Sequence, residues 1–308
     1  YLRSSTVALL YGVGLLLAIR PDEGRYSEGA WRFGFSTPVT IILLSLAWRT
    51  GNRSLQIVTT GALAAASGLG GARSRAAILA FVALALLWQR RRLRASRPAR
   101  TVRSVVFAGA IVYLLAVVGQ AALLEGYLGQ SAAERTQVQV ERSGSVLLGA
   151  RPEAAATAAL FLHRPYGFGA GVLPSGEDVL VAKSGMASIG YNPNNNYVER
   201  YLFSEKFELH SVAGDMWAWF GIPGAGLAGL IVATSVASLV GMMATRTGSA
   251  LQVFLAVNLL WDVGFSPLLS AIPLTILALG ILIGVPGVRR PPPRELAGAN
   301  VTASGGRG

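Results

Sequence analysis

Cysteine is absent from this 308-residue chain, and charged residues make up only 14% of it. Soluble globular domains carry about 25% charged residues. Hydrophobic residues account for 52%, and the mean hydropathy is +0.50. The lack of cysteine excludes a disulfide scaffold, and the apolar content excludes a disordered chain. Because the apolar residues form long blocks, we predict an all-α polytopic membrane helix bundle.

Eight apolar blocks approach the ~20 residues that a membrane-spanning helix needs. They cover residues 4–19, 35–48, 55–70, 76–88, 105–124, 220–243, 250–265 and 267–285. The chain starts at Tyr1, not methionine, and the first block lacks the pattern of a signal peptide. We therefore expect a piece of a longer protein, from which N-terminal helices are missing.

Lysine is nearly absent as well, so the net charge of +12 is carried by arginine. Arginines crowd the connector 89–104, which the positive-inside rule assigns to the cytoplasm. Alternation from there predicts a five-span bundle (1–124), an extracytoplasmic catalytic segment (125–215), three further spans (216–286) and a disordered cytoplasmic tail (287–308). Membrane lipids are expected partners of the chain, and no nucleic-acid partner is expected.

The predicted outer segment contains two kinds of local pattern. Residues 152–162 form an alanine-rich stretch that begins with proline, which predicts a helix. Residues 173–197 are rich in glycine, serine and asparagine, which predicts a loop.

Two arginines stand at the outer end of the fourth predicted span, in Gly70-Gly71-Ala72-Arg73-Ser74-Arg75-Ala76-Ala77. Such arginines often only reach for lipid headgroups. Small neighbours, however, leave the guanidinium groups accessible, and a helix start adds the positive end of its dipole. Arg73 and Arg75 are therefore candidates for binding a phosphate or diphosphate, with interfacial anchoring as the alternative.

A further arginine motif lies within the outer segment. Arg151 precedes Pro165-Tyr166-Gly167-Phe168-Gly169-Ala170-Gly171 by fourteen residues, and alternate glycines permit a sharp turn or a close backbone approach. Arg164 is a secondary candidate, for which a solvated surface position is the alternative.

His210 is one of only two histidines and comes shortly before the predicted span 220–243. Histidine exchanges a proton near neutral pH, so His210 is a candidate general base, or else a polar interfacial residue. Asp262 lies near the outer end of another predicted span. An acid there is a functional candidate that would orient a histidine or pair with an arginine, with an interfacial position without a function as the alternative.

These motifs, in this order, resemble those of the O-antigen ligase and polymerase superfamily of bacterial membrane glycosyltransferases. The resemblance extends over residues 34–229. The matching steps are Ser74-Arg75-Ala76-Ala77, then Arg151 with Pro165 to Gly171, and finally His210-Ser211 with Gly221-Ile222-Pro223-Gly224. The chain departs from the family pattern at Ala155, where an aromatic is common, and at Ser211, where asparagine is common.

The resemblance implies transfer of a glycan from a polyprenyl diphosphate carrier to a hydroxyl of a lipid or sugar acceptor. The reaction would occur at the periplasmic, extracytoplasmic face of the cytoplasmic (inner) membrane. Arg75 and Arg151, helped by Arg73, would bind the diphosphate, and His210 would be the general base. No metal or other cofactor is expected, because the sequence has no Asp-x-Asp pair, and the transfer would invert the anomeric carbon.

Two activities share these motifs. A ligase passes a finished glycan to its acceptor, whereas a polymerase joins repeat units, and we favour the ligase. A transporter or flippase of lipid-linked glycan is the alternative from another class, and a structural membrane scaffold is a further one.

Overall fold

The computed structural model describes residues 2–20, 29–90, 102, 106, 109, 152–203 and 206–283. Within these ranges it contains helices and no strand, which confirms the all-α class. The helices are α1 (Ser4–Leu17), α2 (Ser36–Arg49), α3 (Arg53–Leu69), α4 (Arg73–Arg90), α5 (Pro152–His163), α6 (Gly176–Ser188), α7 (Val212–Thr245), α8 (Ala250–Phe265) and α9 (Leu268–Leu282). Apart from residues 106 and 109, the predicted span 105–124 lies outside the described residues, as do the tail 287–308 and most of the arginine-rich connector.

Helix α8 lies at the centre of the larger of two groups of helices, which we call the bundle. It packs against α2, α3, α4, α7 and α9, while α1 packs on α2 and α9. The apolar core of the bundle is mainly aliphatic and includes Leu44, Leu79, Leu251 and Phe254, all fully buried. The absence of charge along α8 before Asp262 explains how this helix is enclosed by five others.

Several small polar side chains of α2 and α3 are buried, while some of their large apolar ones are exposed. Thr40, Ser45 and Thr60 have no exposed surface, whereas Val58 and Leu69 are 67% and 93% exposed. Ser45 and Thr60 donate to the carbonyls of the residues four positions earlier in their own helices. The outer surface of this part of the bundle therefore includes large apolar side chains, and its buried positions include polar ones.

One helix of the described residues, α7, is long and apolar enough to cross a membrane. Helices α1, α8 and α9 are apolar but shorter. A helix of 14 to 16 residues extends about 21–24 Å at 1.5 Å per residue, less than the ~30 Å of a bilayer core. The structure thus supports one span by length, where the sequence predicts eight.

A second group of segments, which we call the cap, consists of α5, α6 and the chain from there to the start of α7. Its core is rich in aromatic side chains, including Phe168, Phe203, Phe207 and Trp217. The prediction of a loop over 173–197 is wrong for α6. A reciprocal pair of hydrogen bonds between Ser175 and Asp178 starts this helix, and this capping box outweighs the local glycine and serine content.

Helix α7 belongs to both groups because it bends at Gly221. This residue has φ 65° and ψ −146° within a helix that otherwise continues, and Pro223 follows two positions later. Proline has no N–H to donate and clashes with the preceding turn, so the regular ladder is interrupted here. Before the bend, Trp217 and Ala218 consequently pack in the core of the cap while Val212 and Met216 pack in that of the bundle, and the remainder of α7 runs through the bundle.

Backbone hydrogen bonds connect this bend to the glycine-rich motif after α5. The N–H groups of Phe168 and Gly169 donate to the carbonyl of Ala218 at 2.7 and 3.1 Å. We call these two bonds the clasp. A Cβ added to Gly167 would come within 2.5 Å of the Trp217 carbonyl, and one added to Gly221 would collide with the carbonyl of Tyr166. Glycine at both positions is therefore a requirement of close backbone contact.

Candidate functional site

A pocket of about 180 Å³ lies where the cap meets the end of α8. Its walls come from the start of α5, the loop before α7 and the last turn of α8. They are Glu153, Ala154, Thr157, Leu209, His210, Ser211, Gly264 and Phe265. The candidate general base is thus a wall residue of a pocket between the cap and the bundle.

His210 has a left-handed backbone conformation, with φ 50°. Few residues other than glycine adopt it, and non-glycine residues so held are concentrated at functional sites. Its Nδ1 lies 3.3 Å from the Glu208 carbonyl oxygen. A carbonyl only accepts, so Nδ1 carries the hydrogen and Nε2 keeps its lone pair. The neutral ring therefore presents a proton acceptor.

Ser211 and Asp215, which follow His210 in the sequence, hold this loop in place. Ser211 caps α7 by accepting from the N–H of Gly214, and its hydroxyl donates to the Val263 carbonyl at 2.9 Å. Asp215 is buried and accepts from the N–H groups of Leu209 and Leu268 at 2.6 and 2.8 Å. The loop is consequently fastened to α7, α8 and the start of α9.

Arg75 lies in the first turn of α4 and is partly buried. Its guanidinium carbon is 5.8 Å from the centre of the Phe254 ring. Its Nη1 is inaccessible and has no hydrogen-bond partner within the described ranges. Arg75 and Asp262 attract each other electrostatically. A buried donor without a partner has a substantial free-energy cost, which an acceptor arriving from a ligand would remove.

Asp262 is already hydrogen-bonded from two sides. Asn258 Nδ2 donates to Oδ2 and the Ser266 hydroxyl donates to Oδ1, both at 2.6 Å. The carboxylate therefore serves the last turn of α8 and the charge of Arg75, and no direct bond to His210 is seen.

The last turn of α8 brings two of the predicted site residues to one end of the bundle. Ser211, the neighbour of His210, binds Val263, and the adjacent Asp262 attracts Arg75. The other predicted residues behave differently. Arg73 is the exposed first residue of α4, and Arg164 is exposed with its guanidinium 5.5 Å from the Phe168 ring. Arg151 lies outside the described residues.

Two acidic residues that the sequence interpretation overlooked contribute to this region. Glu153 is 7% exposed, and Oε1 accepts a hydrogen bond from the Tyr197 hydroxyl. Asp215 fastens the loop that carries His210. The sequence gives little indication of these roles, because an acid in the first turn of a helix usually only complements the helix dipole.

This end of the bundle has a histidine in a pocket wall and, on α4, a guanidinium nitrogen without a hydrogen-bond partner within the described ranges. Such a set suits transfer of a group with an anionic leaving group to a hydroxyl nucleophile. Across the described ranges, no group of three or more histidine, aspartate or glutamate side chains is arranged to hold a metal ion.

Neither a protein-family model nor a curated protein nor a solved structure matches this chain. The functional argument therefore depends on the residues and the geometry described above.

Proposed function

We propose that this chain is a multi-pass membrane glycosyltransferase of the O-antigen ligase type. It would move a glycan from a polyprenyl diphosphate carrier to an acceptor hydroxyl at the extracytoplasmic face of the cytoplasmic membrane. The observation that carries the proposal is the position of His210 in the pocket wall, at the bundle end where Arg75 lies. Its Nδ1 contacts the Glu208 carbonyl oxygen, which leaves Nε2 to face a substrate.

The surface of the bundle supports the membrane part of the proposal. A lipid-facing helix exposes leucine and valine and turns its few polar groups inward, as α2 and α3 do. The distribution of arginine agrees with the proposed orientation. Arg53 donates to the carbonyls of Arg246 and Gly248 and to Gln89 Oε1, at the bundle end opposite Arg75. That end would face the cytoplasm.

The proposed reaction uses His210 as general base. Nε2 accepts the proton of the acceptor hydroxyl while its oxygen forms a bond to the anomeric carbon of the donor. The bond from that carbon to the diphosphate oxygen breaks, and the polyprenyl diphosphate leaves with the electron pair. One displacement inverts the anomeric carbon, and general-base assistance of this kind contributes about 10²–10⁴ in rate.

Arg75 would stabilise the negative charge on the leaving diphosphate. Its Nη1, which has no hydrogen-bond partner among the described residues, would donate to a phosphate oxygen, and the negative charge of Asp262 would attract the guanidinium. Arginine stays charged in a partly desolvated site and binds phosphate oxygens in pairs. Removing one such donor typically costs about 10²–10³ in turnover. Arg151, and Arg73 from the exposed start of α4, would assist.

Complementation of a host that lacks the corresponding gene tests the proposal. Wild type, His210→Ala and the control His163→Ala are compared at equal membrane levels, with analysis of lipid-linked glycans. His163 is a suitable control because it is the other histidine of the chain. It lies beside Glu177 and Asp178 of the cap, away from the pocket. We expect His210→Ala alone to fail, with long glycan accumulating on the carrier at the outer face.

The accumulated species distinguishes the rival functions. Single repeat units on the carrier would indicate a polymerase instead of a ligase. Glycan retained at the cytoplasmic face, inaccessible to an added glycosidase in spheroplasts, would indicate a flippase. Full complementation by His210→Ala would refute the general base and leave a scaffold role.

A further inference from the structure

Only one of the two carboxylate oxygens of Glu153 has a hydrogen-bond partner among the described residues. Oε1 accepts from the Tyr197 hydroxyl, whereas Oε2 is inaccessible to solvent and has no hydrogen-bond partner among the described residues. The same residue forms part of the pocket wall with His210. A buried carboxylate with an unused oxygen is costly, and a ligand that donates a hydrogen bond to it removes that cost.

Glu153 is the only acidic residue among the described side chains that line the pocket. No lysine, arginine or histidine of the described ranges forms an ion pair with it. Glu208, two residues before His210, is paired with Lys206 at 2.7 Å, so its charge is largely compensated. The carboxylate of Glu153 therefore repels a carboxylate placed in the pocket and attracts hydrogen-bond donors.

The size of the pocket limits its occupant. About 180 Å³ is less than the ~300–1,000 Å³ of sites that take drug-sized ligands. The ring of Phe265 and the methyl of Ala154 supply apolar surface, while Thr157 and Ser211 contribute hydroxyls. Room for one ring, with an apolar wall and several polar groups, suits a single sugar residue.

We propose that Glu153 selects the acceptor, binding an uncharged or amino sugar through hydroxyl or ammonium donors and rejecting acidic sugars. This inference rests on the proposed function, because it assigns the pocket beside His210 to the acceptor. Glu153 would hold one donor of the ring while His210 receives the proton of the reacting hydroxyl.

Chemical protection of His210 tests this assignment without requiring turnover. The full chain carrying His163→Ala retains His210 as its only histidine, so the carbethoxyhistidine absorbance produced by diethyl pyrocarbonate reports on His210 alone. The probes are methyl β-D-glucoside, the corresponding galactoside and their uronides, which differ from the parent sugars only in a carboxylate. The same measurement is made on Glu153→Gln, which keeps an acceptor for Tyr197, and on the control Glu177→Gln, which changes an acid in the first turn of α6.

We expect the neutral glycosides to slow modification, with the uronides needing at least ~10-fold higher concentration for half protection. Glu153→Gln should bring the two classes within about 2–3-fold of each other, and Glu177→Gln should leave the difference intact. Equal protection by both classes in the wild type, an unchanged difference in Glu153→Gln, or no protection by any sugar would overturn the assignment. Protection by neutral sugars together with full complementation by His210→Ala would refute the proposed function and leave the sugar site standing.

Discussion

The bundle and the cap satisfy their polar groups in different ways. In the bundle, Ser45, Thr60 and Ser235 each donate to a carbonyl of their own helix. In the cap, Trp217 Nε1 donates to Pro165 and Trp219 Nε1 to Phe207, joining separate segments. The bundle also has hydrogen bonds between helices, but those of Arg53 and Gln56 lie at the end away from His210. The comparison teaches that His210 belongs to the cross-linked cap, and that Ser211 and Asp215 fasten its loop to α8 and α9 of the bundle.

The largest effect is expected at His210, the residue that the cap positions. Both His210→Ala and His210→Gly should lower the transfer rate by about 10²–10⁴. The glycine variant should be about 1 kcal/mol more stable than the alanine variant, because φ 50° suits glycine. Transfer assays and thermal unfolding in detergent measure the two quantities. Equal stability of the two variants would contradict the strained backbone.

Arg75 is the residue by which the bundle would take part in the chemistry. Arg75→Gln should lower turnover by about 10²–10³, because the leaving diphosphate loses a cationic donor. Arg49→Gln is the control, since Arg49 is exposed in the last turn of α2. Single-turnover rates with a lipid-linked donor give the comparison, and a loss confined to donor affinity would argue against leaving-group stabilisation.

Gly221 is where the two regions share one helix. Gly221→Ala should destabilise the fold by about 2–4 kcal/mol, through the strained backbone and the weakened clasp. Gly226→Ala is a matched control in the same helix, where an added Cβ meets nothing within 4 Å. That control should be neutral or more stable by ~0.5–1 kcal/mol. Equilibrium unfolding in mixed detergent measures both, and similar stabilities would show that the clasp contributes little.

Arg53 holds the far end of the bundle together. Arg53→Gln should cost about 1.5–3 kcal/mol, because three acceptors lose a charged donor. The activity remaining at low temperature should stay near that of the wild type, since the site lies at the other end. A large loss of turnover without a change in melting temperature would mean that the two ends are coupled.

The smallest effect is expected at Ser175, which starts α6 in the cap. Ser175→Ala removes one half of the capping box and should cost about 1 kcal/mol. Limited proteolysis of the cap in the native protein is a suitable measurement, with faster cleavage after α5 as the expected result. Unchanged cleavage would indicate that tertiary contacts, and not the cap residue, hold α6.

The sequence predicted helices well where composition alone determines them. The predicted span 250–265 agrees with α8 at both ends, since Ser249 caps it and Pro267 follows it. Helix α7, in contrast, starts eight residues before the predicted 220–243. Its first turns contain Asp215 and two tryptophans, whose burial depends on the cap and is invisible to a hydropathy count.

The candidate site was predictable in its individual residues and not in its connections. Histidine and arginine stand out by their rarity or position, so the sequence predicts His210 and Arg75 as site residues, and this stays a prediction. Glu153 was missed, because its partner Tyr197 is distant in sequence and its alanine neighbours indicated an ordinary surface helix. The link from Ser211 to Val263 likewise depends on the packing of α7 against α8.

The clasp also distinguishes side chains that can be substituted from a backbone contact that must be preserved. Its donors and acceptor are backbone atoms, so exchange of the Phe168 or Ala218 side chain leaves the hydrogen-bonding groups present. The clasp joins the two ends of the segment between Gly169 and Ala218, and α6 lies within that segment. Insertions and substitutions far from the clasp can therefore accumulate without moving the end that enters α7. Such an arrangement lets the exposed surface of the segment change while the entry of the chain into α7 stays the same.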